Sequence, residues 1–135
     1  MAMNCNKIEG SMATVSGEIT LFDLEGRPVA YIDFTEDPVI YLWNGHAVAY
    51  LSDNHVYGFN GKHLGWFENG VIINHGGEKI GFTKICCPEN TRAEPAKLDK
   101  LIQKIKSVKE MAPLKPMCRP STARENFVSF LSAGG

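Results

Sequence analysis

The chain has 135 residues, a formal net charge of −1 and 44% hydrophobic residues, enough for one compact domain with a modest core. Its near-neutral charge gives no reason to expect nucleic acid or an anionic surface as a partner. No apolar run is long enough to cross a membrane as a helix, and the start MAMNCNKIEG lacks the apolar centre of a signal peptide, so the expected location is the cytoplasm.

Residues 1–18 are small, polar and aperiodic, and read as a lead-in with a short strand near Met12 to Val15. Residues 19–88 read as a β domain in which one unit is written four times. The frames FDLEGRPVAY, YLWNGHAVAY, YGFNGKHLGW and INHGGEKIGF surround Gly26, Gly45, Gly61 and Gly77. Asn44-Gly45 and Asn60-Gly61 suit a two-residue type I′ hairpin turn, because both central positions of that turn need positive φ. Glu25-Gly26 is the weakest match, since Glu in that conformation carries a steric cost.

With Asn44 and Gly45 in such a turn, Trp43 faces His46, Tyr41 faces Val48 and Val39 faces Tyr50, all on one face. The other face carries Ile40, Leu42, Ala47 and Ala49. The third unit repeats the division, with Tyr57, Phe59, Leu64 and Trp66 on one face and Val56, Gly58, His63 and Gly65 on the other. Ala30, Ala49, Gly65 and Gly81 recur at the fourth place after each glycine, where small residues permit close approach. Isolated hairpins are marginal in water, so the four must bury one another, most economically around a pseudo-fourfold axis.

Residues 89–135 read as a helical appendage. PENTRAEP is a linker; beyond it Leu98, Leu101, Ile102, Ile105 and Val108 form an apolar stripe at helical spacing, predicting an amphipathic helix that ends at the two prolines after Met111. Residues 1–89 hold five Lys or Arg against eleven Asp or Glu, while residues 90–120 hold eight against three. The basic segment is therefore expected to attract the acidic hairpin body of its own or a second copy. Thr122 with Glu125 matches a capping box and predicts a short terminal helix from Ala123 to Ser132.

The region WNGHAVAYLSDNHVYGFNGKHLGWFENGVIIN resembles the bacterial 4-fold beta flower family, with the resemblance covering residues 19–84. It implies a mainly β fold of four hairpins around a pseudo-fourfold axis. It implies no activity, because the family carries no catalytic residues to transfer.

The residues themselves supply few chemical signals. Cys5, Cys86, Cys87 and Cys118 have no zinc-ligand spacing and read as reduced thiols. His46, His55, His63 and His75 stand at four different places relative to their glycines, so no shared metal site is expected and no cofactor is implied. No nucleophile motif occurs, which leaves no catalytic residue to name. The leading reading is a non-enzymatic, self-associating interaction module whose partner surface is the stripe from Leu98 to Val108. One alternative is a small-molecule or glycan binder using turn residues Trp43, Asn44, His46, Asn60 and His63 at one rim. Another is a hydrolase drawing on those histidines and on Asp23, Asp33, Glu36, Asp37 or Asp53.

Overall fold

The computed structural model of the chain describes residues 17–119, 122, 123 and 125–133. Eight antiparallel strands follow one another around a closed barrel: β1 (Glu18–Phe22), β2 (Pro28–Asp33), β3 (Val39–Leu42), β4 (Ala47–Ser52), β5 (His55–Gly58), β6 (His63–Glu68), β7 (Val71–Ile73) and β8 (Lys79–Phe82). Pairing of Phe22 with Phe82 closes the ring of described strands, the way a barrel avoids exposed sheet edges. The strand expected near Met12 lies outside the described residues.

The four glycine turns share one geometry, and it is not type I′. At the second hairpin the Gly45 N–H donates to the Leu42 carbonyl at 2.9 Å, and the Leu42 N–H donates to the His46 carbonyl at 2.8 Å. The loop therefore has three residues, Trp43, Asn44 and Gly45, and only the glycine has positive φ, at 95°. The same pair of bonds recurs around Gly26, Gly61 and Gly77. Glu25 is accepted because its position needs no left-handed backbone. The two-residue Asn-Gly turn occurs instead between β6 and β7, where Asn69 and Gly70 have φ of 54° and 80°.

Each hairpin also contains a bulge at an equivalent place. Ile40 pairs with Ala49 but Tyr41 pairs with Ala47, so Val48 is the extra residue. Val29, Leu64 and Ile80 are its counterparts. A bulge lets two consecutive side chains share a face and raises the local twist that closes a small barrel. Val48 and Ala49 accordingly both point into the interior, while Ala47 joins the outer aromatic cluster. This corrects the strict alternation expected from the sequence: Val48 and Leu64 exchange faces with Ala47 and His63.

The interior holds Leu21, Ile32, Ile40, Leu51, Val56 and Ile72 with the small Ala30 and Ala49. Its open end is plugged by a terminal helix, α1 (Phe127–Ser132), through Phe127, Phe130 and Leu131. α1 is shorter than expected and starts on a different cap. Asn126 Oδ1 accepts from the Ser129 N–H at 3.1 Å, while Thr122 instead forms a parallel bridge with Lys79. Gly81 exists to admit this plug: a Cβ built on it would lie 2.3 Å from the Phe127 ring.

No helix forms over the predicted stripe. Residues 88–119 form neither helix nor strand and pass around the glycine-turn rim as a strap. The N–H groups of Arg92, Leu101, Glu110 and Arg119 donate to the carbonyls of Gly26, Gly45, Gly61 and Gly77 at 2.8–2.9 Å. Those donors stand nine residues apart, one per hairpin. A short helix in water depends on packing its apolar face, and here the turns capture the backbone donors that a helix would use internally. The strap also covers the barrel's outer aromatics, with Tyr41 accepting from Gln103 and Tyr57 donating to the Glu110 carbonyl. The thiol expectation fails at Cys86, which is disulfide-bonded; Cys87 and Cys118 are free.

Candidate functional site

The bulge at Leu64 brings together side chains that stand apart in the sequence. By moving His63 to the outer face opposite Tyr57, it sets that imidazole between His55 on β5 and His75 in the β7–β8 turn. His55 Nδ1 lies 3.0 Å from His63 Nε2. His63 Nδ1 lies 2.9 Å from His75 Nε2. The His63 and His75 ring planes differ by 10° with centroids 5.1 Å apart, so the rings meet end to end in nearly one plane. Both nitrogens of the central ring are thus engaged in a continuous chain of three imidazoles.

His63 is 2% exposed, Trp66 packs edge-on against it at 4.8 Å, and Tyr57 does so at 5.0 Å. From the strap, Glu110 Oε2 accepts from the His63 backbone N–H at 2.7 Å. Burial first, then the nearby His75 and His55, push His63 down from 6.5 to about 4, against the opposing pull of Glu110. The central ring is therefore neutral at pH 7, while His75 opens onto a cavity of about 480 Å³ that Lys62, Asn74, Glu110 and Glu125 also line. Among the described residues no group of three or more His, Cys, Asp or Glu is arranged to hold a metal ion.

A second polar cluster ties the strap to the barrel wall. Lys100 Nζ reaches Glu18 at 2.9 Å and Asp33 at 2.7 Å, and Lys97 reaches Glu18 at 2.7 Å. Burial raises the Asp33 carboxyl, but hydrogen bonds from Lys100 and Thr35 outweigh it and bring Asp33 to about 2.

The five turn residues proposed for binding divide between two neighbouring turns, and several are already engaged. Trp43 Nε1 donates to the Pro95 carbonyl at 3.0 Å, and Asn44 Oδ1 accepts from the His46 N–H at 3.0 Å. Asn60 holds the Lys62 N–H and donates to the Ala133 carbonyl. His46 is exposed, whereas His63 is buried and belongs to the imidazole chain. His55 and His75 enter the sequence reading only within the histidine set offered to a hydrolase, with no shared site expected of them, and Glu110 is not singled out at all. A signal for the strap was present, since PENTRAEPA, KLDKLIQKI, KSVKEMAPL and KPMCRPSTA form four nonapeptides in register with the four turns.

No curated protein matches the chain, and no solved structure does. The family model of the 4-fold beta flower protein matches residues 19–131, which takes in the strap and all of the eight strands and α1 except Glu18 and Ser132. A closed ring of four glycine-turn hairpins, bound at every turn by its own C-terminal segment and matched over most of its length, makes this chain a member of the 4-fold beta flower family.

Proposed function

We propose that this protein is a non-enzymatic interaction module that self-associates through its strap. The observation that carries the reading is the orientation of the strap's side chains. Its lysines turn inward: Lys97 and Lys100 meet Glu18, Lys115 meets Glu68, Lys109 meets Ser52, and Lys106 Nζ stands 4.4 Å over the Tyr50 ring. Its apolar groups turn outward. Ile102, Ile105, Val108, Met111, Leu114 and Met117, at every third position, are each 89–97% exposed. A segment evolved only to clasp its own barrel would place these the other way round, and an apolar ridge of this extent marks an interaction surface.

A second copy is the occupant that fits. The ridge borders the same rim in every molecule, so two copies can meet face to face, and a net charge of −1 sets up little repulsion between them. Burying one such side chain stabilises by about 1.5–3 kcal/mol, and two copies bring twelve of them. That exceeds the rough 4–15 kcal/mol cost of association. The pseudo-fourfold arrangement of the hairpins belongs to the same reading, supported by the equivalent strap contact at each turn. So does the cytoplasmic location, which fractionation of cells would test.

Sedimentation velocity over a concentration series tests the proposal. The parent is expected to dimerise, and Ile105→Asp combined with Leu114→Asp to remain monomeric with unchanged melting at low concentration. A parent that stays monomeric throughout overturns it.

A further inference from the structure

We propose that His55, His63 and His75 form a proton relay that carries one proton between the outer nitrogens of its two end rings. Three imidazoles have six ring nitrogens, and four of these are committed to the two N···N contacts of 3.0 and 2.9 Å. Each contact needs one proton, donated by one ring and accepted by the next. When all three rings are neutral they hold three protons, two inside the contacts and one on an outer nitrogen, either His55 Nε2 or His75 Nδ1.

These two arrangements interconvert without breaking the chain. A proton arrives at His75 Nδ1, the His75 Nε2 proton moves to His63 Nδ1, the His63 Nε2 proton moves to His55 Nδ1, and His55 Nε2 releases its proton to solvent. Every bond that breaks is matched by one that forms, and no other reactant is needed. The chain also accepts one excess proton with both contacts intact, the two outer nitrogens then being protonated together. A second excess proton forces two N–H groups to face each other and opens a contact.

The surroundings suit this role. His63, the central ring, is 2% exposed, while His75 is exposed and His55 half-buried, so the two end rings are the ones that meet solvent. Tyr57 faces the chain from β5 with Lys109 Nζ 5.7 Å over its ring, Glu110 from the strap, Lys62 from the β5–β6 turn and Glu125 from the segment before α1. Glu110 is the charge nearest the central ring, fixed on the His63 N–H, and it favours the cationic state of the relay.

Nitrogen-15 NMR of histidine-labelled full-length protein tests the relay. In the unmodified protein, scalar couplings across the hydrogen bonds are expected between His55 Nδ1 and His63 Nε2 and between His63 Nδ1 and His75 Nε2. Replacement His55→Phe is expected to change the tautomer ratio at His75, a ring that His63 separates from it. Absence of both couplings in the folded parent overturns the proposal, and so does a His75 tautomer ratio indifferent to a folded His55→Phe variant. Should that variant fail to fold, the couplings in the parent alone decide.

Discussion

The ring of Phe127 stands where a side chain on Gly81 would be, with Cζ 2.3 Å from the position of the missing Cβ. The terminal helix is thus keyed to the barrel by a single absent methyl. Gly81→Ala should destabilise the fold by about 1–3 kcal/mol, the usual cost of overpacking. Phe127→Leu in the same chain should recover part of the loss, because the shorter side chain vacates the space. Thermal melts of the two singles and the double check this; a Gly81→Ala protein that melts with the parent would show that α1 does not plug the barrel.

Gly65 occupies the equivalent place in the third hairpin, and there the obstacle is backbone: a Cβ would meet the Ile73 carbonyl oxygen at 2.2 Å. A ring can turn aside, whereas a paired strand cannot. Gly65→Ala is therefore expected to cost more than Gly81→Ala, and Ala49→Leu, at a fully buried site, to fall in the same overpacking range of about 1–3 kcal/mol. Lys62→Leu, on the exposed turn, serves as the neutral control.

Gly45 and Gly17 separate backbone strain from strap attachment. Both have positive φ, 95° and 75°, but a Cβ on Gly45 would lie 2.0 Å from the Asp99 carbonyl oxygen, while Gly17 has nothing within 4 Å. Alanine at either site incurs the left-handed penalty of about 1–2 kcal/mol. Only Gly45→Ala should also release the strap, measured as faster hydrogen exchange at the Leu101 N–H. Equal exchange rates in the two variants would contradict the clasp.

Acid should act through two groups in two windows. His63 is depressed from 6.5 to about 4, so the folded state disfavours its proton; this contribution is complete above pH 6.5 and is lost as the pH falls through 4. Asp33 is depressed from 3.8 to about 2, so its contribution is present above pH 3.8 and is lost as the pH falls towards 2. Denaturant midpoints should show His63→Asn flattening the upper window and Lys100→Met the lower one. A parent whose stability is constant between pH 7 and pH 4 would count against a buried neutral His63.

At neutral pH the Lys100 bridge should matter only modestly, because its side chain is 37% exposed. Lys100→Met is expected to lower stability by about 0–1 kcal/mol at low salt, with the difference shrinking as salt screens the pair. A loss that persists at high salt would point instead to the contact of Lys100 Nζ, 5.7 Å over the Tyr31 ring.

The repeat of four glycine-centred hairpins was legible in the sequence because it is a local property. Turn glycines, flanking β-branched and aromatic residues, and the small residues at Ala30, Ala49, Gly65 and Gly81 all act within about ten residues of one another. The turn type was not legible: Asn44-Gly45 is compatible with both a two- and a three-residue loop, and the choice falls to the bulges at Val29, Val48, Leu64 and Ile80 that let eight strands close. That one-residue displacement is what carries His63 to His55 and His75.

The strap shows the same division more sharply. Leu98, Leu101, Ile102, Ile105 and Val108 satisfy a helical period when taken alone, and Ile102 to Met117 satisfy a period of three equally well. Sequence therefore determined the hairpins, the acidic body and the basic tail that pairs with it. Tertiary structure decided the conformation of that tail, because its backbone N–H groups find the carbonyls of Gly26, Gly45, Gly61 and Gly77 only after the barrel has brought those four turns to one rim.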